Sequence, residues 1–327
     1  MMSRLISLIF AACLLAIAKP TSAPAANSDW PKSLTIGTAA PGGVYVVYGE
    51  ALAKILTEKL GITVNQLPTA GGIHNVKLLD NGAEQLGMIP MSTGLEAWNG
   101  TGDWTGGKKY RNMRALFPMY DNPFDAVVLQ RSGITTLAQL DNKRIGVGPR
   151  AANASTYAPV IFKIVGITTN LSYGSYDEMA AKLLLGDIDA VVTISAPLPA
   201  IQTVDAKEPL RLLDLSPEQM AAIRKALPEF GPAKIVAGAY RLLDKDHVTI
   251  AVPNFVIGRA DLPNDLVYQL VKAVFENQPR LLKATSMASE TLPQNVVKDT
   301  FLPLHPGAVR YYREVGISIP DALAATH

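Results

Sequence analysis

Three short loops of small residues have the composition of anion-binding sites. They are residues 39–43 (AAPGG), 70–72 (AGG) and 150–154 (RAANA), each ahead of a segment with helical periodicity. Small side chains let a ligand approach the backbone N–H groups, and a helix N-terminus carries partial positive charge. Together the loops favour a site for a small carboxylate- or phosphate-bearing molecule, although each alone is better explained as a turn. Arg150 either pairs with a carboxylate of that ligand or is an ordinary surface arginine.

Other chemical motifs are incomplete. Residues 146–151 (GVGPRA) match a relaxed dinucleotide fingerprint but lack its acidic residue, and residues 102–109 resemble a phosphate-binding loop with Lys109 in place of Ser or Thr. The four histidines show no metal-ligand spacing, and the nucleophile motif G-x-S-x-G is absent. We therefore expect no cofactor, no metal and no enzymatic activity. An enzyme with His305 or Asp187 as acid or base is the alternative, and turnover of a bound ligand would support it.

Composition indicates an ordinary α/β protein. The 327 residues include 48% hydrophobic residues, 30 Lys and Arg against 28 Asp and Glu, and a single cysteine. This excludes a largely disordered chain, an electrostatic nucleic-acid binder, an internal disulfide and a cysteine-ligated zinc site.

The N-terminus has the features of a signal peptide. Arg4 precedes the apolar residues 5–18, which are too few for a membrane-spanning helix, and Ala23, Pro24 and Ala25 form an A-x-A cleavage pattern. We expect cleavage near Ala25 and a periplasmic location. The lone cysteine, Cys13, lies in the removed segment.

The mature chain repeats one order of elements. We predict strand 33–38, helix 45–60, strand 62–67, helix 73–80 and strand 85–90, and then strand 143–148, helix 155–165 and strand 187–192. The sequence Gly61-Ile62-Thr63 recurs as Gly166-Ile167-Thr168 at the corresponding place. The order is that of βαβ units with a parallel sheet.

The pattern predicts an α/β fold with two lobes. Each lobe has a mostly parallel sheet flanked by helices, and the extended runs 124–130 and 248–257 form a two-strand hinge beside a ligand cleft. After the signal peptide (1–25), residues 26–128 and 254–327 form lobe 1, and residues 129–253 form lobe 2. Tyr45 and Tyr176, at predicted helix starts, are candidates to line the cleft.

Several motifs together resemble one family. They are LTIGT (34–38), PGGVY (41–45), PTAGG (68–72), WNGTG (98–102), GVGP (146–149), and LHPGA (304–308) with Tyr311 and Tyr312. In order and spacing, from about Leu34 to Gly316, they are similar to the TAXI family of solute-binding proteins of tripartite ATP-independent periplasmic (TRAP) transporters.

The resemblance implies a type II periplasmic-binding-protein fold. Such a protein, expected here as a monomer, captures a small organic anion between its lobes and delivers it to an integral-membrane TRAP permease. A periplasmic sensor of the same fold is the alternative function. By position, the ligand residues would be Gly42, Gly43, Val44, Tyr45, Ala70, Gly71, Gly72, Met91, Ser92, Ala152, Asn153, Ala154, Ser155 and Ser195.

The chain departs from the family pattern in the direction of lower polarity. Val44 and Pro90 replace commonly polar residues, and residues 151–154 (AANA) replace a Gly-Ser-Gly-Thr stretch. We therefore expect an anion with a larger apolar part than glutamate.

Overall fold

The computed structural model describes residues 29–39, 41, 44–150, 152–298 and 300–324. The predicted signal peptide and the predicted ligand residues Gly42 and Gly43 lie outside these described residues.

The first repeat forms alternating strands and helices close to the predicted bounds. They are β1 (Ser33–Gly37), α1 (Val44–Leu60), β2 (Thr63–Leu67), α2 (Gly72–Asp80), β3 (Leu86–Pro90) and α3 (Met91–Asn99). In α1 the apolar residues Tyr48, Leu52, Ile55 and Leu56 recur at helical spacing and are buried. Helix α3, which starts directly where β3 ends, was not predicted from the sequence.

A long strand leads into the second repeat. The elements are β4 (Met113–Leu129), β5 (Lys143–Gly146), α4 (Asn153–Ile164), β6 (Thr169–Ser172), α5 (Tyr176–Leu185) and β7 (Ala190–Ile194). The matched glycines Gly61 and Gly166 both follow a helix with positive φ, 68° and 75°. Two predicted bounds were wrong. β5 ends before Gly148, which has φ 76°, and β7 begins only at Ala190 after the turn at Gly186.

The remaining chain supplies short elements and a second long strand. In order they are α6 (Pro199–Lys207), β8 (Leu210–Leu212), α7 (Pro217–Ala226), β9 (Gly231–Ile235), β10 (His247–Arg259), α8 (Asn264–Glu276), α9 (Gln278–Ala284) and α10 (Pro306–Glu314). β9 was not predicted. Its alternation of buried and exposed residues is too short for a clear strand signal.

The strands join into one mixed sheet with the order β2-β1-β3-β10-β4-β7-β5-β6 among the described residues. β1, β2 and β3 are parallel to one another, as are β5, β6 and β7. β4 and β10 are antiparallel to each other and to their neighbours, and they connect the two parallel groups. We call β1, β2, β3 and the adjoining part of β10 the first half of the sheet, and β5, β6 and β7 the second half. The predicted α/β class with helix-flanked, mostly parallel strands is confirmed.

Separate hydrophobic cores support the two halves. The first core contains β4 residues up to Tyr120 and β10 residues from Phe255 onward. The cores around the second half contain β4 residues from Phe124 onward and β10 residues up to Val252. Both long strands therefore pass from one core to the other within a few residues.

No helix among the described residues is long and apolar enough to cross a membrane.

Candidate functional site

The loops at the carboxyl ends of β1, β2 and β3 are held together by a buried asparagine, Asn75. Its Nδ2 donates to the carbonyl oxygens of Gly37 (3.2 Å), Thr38 (2.8 Å) and Met88 (2.7 Å). Its Oδ1 accepts from the Thr69 hydroxyl at 2.6 Å. One side chain on α2 therefore connects β1 and β3 with the loop that follows β2. Asn75 was not predicted from the sequence, because an asparagine in a helix carries no signal of burial.

Glycines let the loop before α2 lie close to α3. Gly71 has φ 102° and ψ −165°, a conformation open essentially to glycine alone. A Cβ on Gly72 would lie 2.7 Å from Cδ of Pro90. The loop with the predicted ligand residues Ala70, Gly71 and Gly72 is thus packed against the start of α3.

α3 presents its N-terminus at the same edge, but the predicted contacts there are buried. Met91 is 0% exposed and belongs to the first core, and Ser92 is 2% exposed. Pro90 precedes the helix and provides no side-chain cap. The structure thus brings the N-termini of α2 and α3 together and directs Met91 into the protein.

Tyr45, in the first turn of α1, reaches the two long strands. Its hydroxyl donates to Oδ1 of Asn254 on β10 at 2.5 Å, and that oxygen also accepts from Nδ2 of Asn122 on β4 at 2.8 Å. Asn254 in turn donates to the Tyr120 carbonyl at 2.8 Å. Burial raises the pKa of Tyr45 far above its usual range, so the hydroxyl stays protonated. Val44 beside it is partly buried.

This network marks the place where the two halves of the sheet meet. β3 ends at Pro90, which pairs with Asn254. β7 ends at Ile194, which pairs with Phe124, two residues after Asn122. Ser195, which follows β7 and is partly buried, is therefore close to the same crossing. Asn254 had a sequence signal that we did not use, since it is the one amide in the apolar run 248–257.

The loop after β5 opens α4 in the second half. The Ser155 hydroxyl donates to the carbonyls of Pro149 (2.6 Å) and Val147 (3.1 Å) and so fixes the loop to the helix. Ala152 is the N-cap residue and provides no side-chain cap, Asn153 is the first helical residue, and Ala154 is buried. The N–H groups at the start of α4 lack a side-chain partner, as at α2 and α3.

Arg150 and Tyr176 lie beside this loop. A Cβ on Gly148 would lie 2.4 Å from the Tyr176 ring, and burial raises the pKa of Tyr176 to about 12. Arg150 is exposed, its guanidinium carbon is 4.2 Å from the centroid of the Tyr173 ring, and it forms no ion pair with any described residue. Its hydrogen-bonding edge thus remains available to a ligand.

A tyrosine of the second half meets the first half beside α3. Tyr157 on α4 packs edge-on against Phe230, with ring centroids 5.1 Å apart, and is 6% exposed. Burial is the main cause of its raised pKa, and the charges of Glu229 and Glu96 raise it further. The pKa of Glu229 is also raised, mainly by burial. Sequence analysis singled out neither carboxylate.

The two acid–base candidates of the alternative enzyme hypothesis lie far from the carboxyl edges of the sheet. His305 is buried at the start of α10, where Nδ1 accepts from the Gly307 N–H at 3.2 Å, and burial lowers its pKa to about 4. Its backbone N–H bonds Ala115, near the opposite end of the first half, whereas Asp187 is exposed on the second half. The structure does not bring them together. Among the described residues, no cluster of three or more His, Cys, Asp or Glu is arranged to hold a metal ion.

A cavity of the protein lies away from these loops. Its volume is about 470 Å³, and it is lined by residues of β8, the start of β10 and the loop 240–246. None of the predicted ligand residues lines it.

Comparison with known proteins identifies the family. Residues 36–316 match the model of the NMT1-like family, and the chain belongs to this family. The narrower resemblance to TAXI proteins stays a prediction.

Solved structures share the fold. PhnD1 from Prochlorococcus marinus, in complex with methylphosphonate, is 15% identical, with a TM-score of 0.53 over 80% of this chain and 91% of that one. A structure described as a periplasmic transporter is 13% identical, with a TM-score of 0.51 over 86% of this chain and 92% of that one. The architecture is thus that of type II periplasmic binding proteins.

Proposed function

We propose that the protein is an extracytoplasmic solute-binding protein. It captures a small organic anion between two lobes and, acting as a monomer in the periplasm, delivers it to a membrane permease of the TRAP type. The narrower parts of this proposal, the TRAP permease and the anion, rest on the sequence resemblance and on the charge of the helix ends.

The observation that carries the proposal is the convergence of helix N-termini. α2 and α3 start at the carboxyl edge of the first half and α4 starts at that of the second, and none has a side-chain cap. Uncapped N–H groups and the helix dipole favour an anionic oxygen. The methylphosphonate in the PhnD1 structure is a ligand of this chemistry on a similar fold.

In this proposal the two halves of the sheet belong to two lobes. Lobe 1 comprises residues 26–128 and 254–327, and lobe 2 comprises residues 129–253. Core membership supports the boundary at 253–254 of β10, whereas on β4 it favours a crossing at residues 121–123, which would move residues 124–128 from lobe 1 to lobe 2. Two adjacent crossing strands would permit hinge motion about the Asn122–Asn254 hydrogen bond.

A thermal-shift screen of organic acids and amino acids tests ligand capture. A ligand at 100 times its dissociation constant stabilises the fold by about 2.7 kcal/mol. Anions with an apolar chain should raise the melting temperature more than short dicarboxylates do. If no organic anion raises it, the proposed cleft site is wrong.

Arg150→Gln tests whether this arginine binds the anion. Loss of a charge-assisted hydrogen bond should weaken binding by about 1.5–3 kcal/mol and leave the melting temperature of the free protein unchanged, because Arg150 is exposed. Arg313→Gln is the matched control, since Arg313 is an exposed arginine in the last turn of α10. Equal affinities of the two variants would assign Arg150 to the surface.

A further inference from the structure

A group of cationic and aromatic side chains covers the connection between α3 and β4. We call it the basic–aromatic surface. It consists of Trp98, Trp104, Tyr110, Lys77, Lys108, Lys109, Arg111 and Arg114.

Four of its five cations lie over the aromatic rings. The guanidinium carbons of Arg111 and Arg114 are 4.1 and 5.7 Å from the centroid of the Trp98 ring. Nζ of Lys77 is 5.6 Å from the Trp104 ring centroid, and Nζ of Lys108 is 4.7 Å from that of Tyr110. Such contacts hold positive charge next to Trp98 and Trp104, which are partly buried, and next to Tyr110, which is buried in the first core.

Most of this positive charge is not neutralised. Among the described residues, Lys108 pairs with Asp80 at 2.6 Å, and none of the other four cations has an ion pair. Burial lowers the pKa of Arg114, and the charge of Arg111 lowers it further. Two acids are near. Glu96 accepts from the Trp104 indole N–H at 2.6 Å, and Asp103 is an exposed residue of the same connection. Like charges placed side by side are unfavourable in the free protein, and an anionic partner would relieve that repulsion.

The arginines of this surface lie away from the candidate ligand loops. Arg114 pairs with Gly258, and Gly258 pairs with Leu86 at the start of β3. The ligand loops follow the other end of β3, at Pro90. A partner on the basic–aromatic surface would leave the carboxyl edges of the sheet open.

We propose that the basic–aromatic surface binds the anionic headgroups of a phospholipid membrane. Tryptophan and tyrosine flanked by lysine and arginine is the composition enriched at membrane–water interfaces. None of the strongly exposed large apolar side chains belongs to the surface, so a partner there would be recognised chiefly through its negative charge. Headgroup binding would hold the protein near the membrane with its ligand loops accessible.

Co-sedimentation with lipid vesicles tests this proposal. The protein should bind vesicles of phosphatidylethanolamine with phosphatidylglycerol at low salt, release at high salt, and not bind vesicles of phosphatidylcholine alone. Each lysine or arginine near an anionic surface contributes about fivefold to the partition coefficient, so the double variant Lys109→Gln/Arg111→Gln should bind about 25-fold less.

The matched control is the double variant Lys163→Gln/Lys225→Gln, which removes two exposed lysines from the second half. It should bind like the unmodified protein. The single variant Lys77→Gln gives an independent measurement, with an expected loss of about fivefold. The proposal is overturned if the protein does not bind anionic vesicles, or if the two double variants lose binding equally. If no vesicle binding is found, an acidic protein becomes the better candidate partner of the basic–aromatic surface.

Discussion

Glu84 provides a test of how burial affects the stability of this fold. It follows α2 and is 0% exposed, and neither carboxyl oxygen has a hydrogen-bond partner among the described residues. The carboxyl group occupies the space above Gly37, where a Cβ would lie 2.1 Å from Oε2. Burial raises the pKa of Glu84 from 4.5 to about 8.

The sign of the effect follows from proton binding. Between pH 4.5 and 8 the folded protein keeps the Glu84 proton and the unfolded chain has released it, so stability falls as the pH rises. The slope is about 1.4 kcal/mol per pH unit, or roughly 4 kcal/mol between pH 5 and 8. Glu84→Gln removes this titration. Relative to the unmodified protein, Glu84→Gln should therefore gain roughly 4 kcal/mol in free energy of unfolding as the pH rises from 5 to 8.

Urea unfolding at a series of pH values measures this difference. Asp125, whose pKa is raised to about 7 by burial, adds a slope of the same sign, but it is present in both proteins and cancels. Glu50→Gln, at an exposed carboxylate of α1, should give a curve parallel to that of the unmodified protein. If the curve of Glu84→Gln is also parallel from pH 5 to 8, Glu84 is ionised in the folded state and the reasoning is wrong.

Two further substitutions test the positioning network. Asn75→Ala removes the donor to three carbonyls of β1 and β3 and should destabilise the fold by about 2–4 kcal/mol, with a matching drop in urea midpoint. The control Asn65→Ala, at an exposed position on β2, should change the stability little. An equally small effect of Asn75→Ala would refute its role in connecting the strands. Tyr45→Phe removes one hydrogen bond to Asn254 and should lower the free energy of unfolding by about 1 kcal/mol in urea unfolding. If stability is unchanged, Tyr45 does not connect α1 to the crossing strands.

Much of the fold was predictable from local patterns. The apolar spacing of α1 and the matched Gly61 and Gly166 gave helix ends within a few residues, because one helical face must be buried and the chain must reverse after it. α3 was missed because residues 91–99 contain few apolar residues in a helical pattern, and their burial comes from contacts with β10 and the chain near Leu302. The lengths of β4 and β10 were underestimated because polar and proline residues interrupt their apolar runs.

The candidate site, like the fold, was predicted only in part. The small-residue loops at 70–72 and 152–155 could be predicted from the sequence, because glycine and alanine before a helix leave its first N–H groups accessible in any fold. Only the tertiary structure showed that Met91 faces the core and that Asn75 connects β1 and β3 with the loop after β2. It also showed that Tyr45, Asn122 and Asn254 meet where the long strands cross.

The physical reason is the range of the interactions. Helix periodicity, turn chemistry and helix-end charge depend on residues close in the chain, so the sequence by itself determined that this protein alternates strands with helices whose N-termini follow small-residue loops. Hydrogen bonds such as Tyr45 to Asn254 join residues 209 positions apart, and burial of Glu84 depends on the lack of a side chain at Gly37. Such pairings exist only once the sheet order is set, and that order was decided by the tertiary structure.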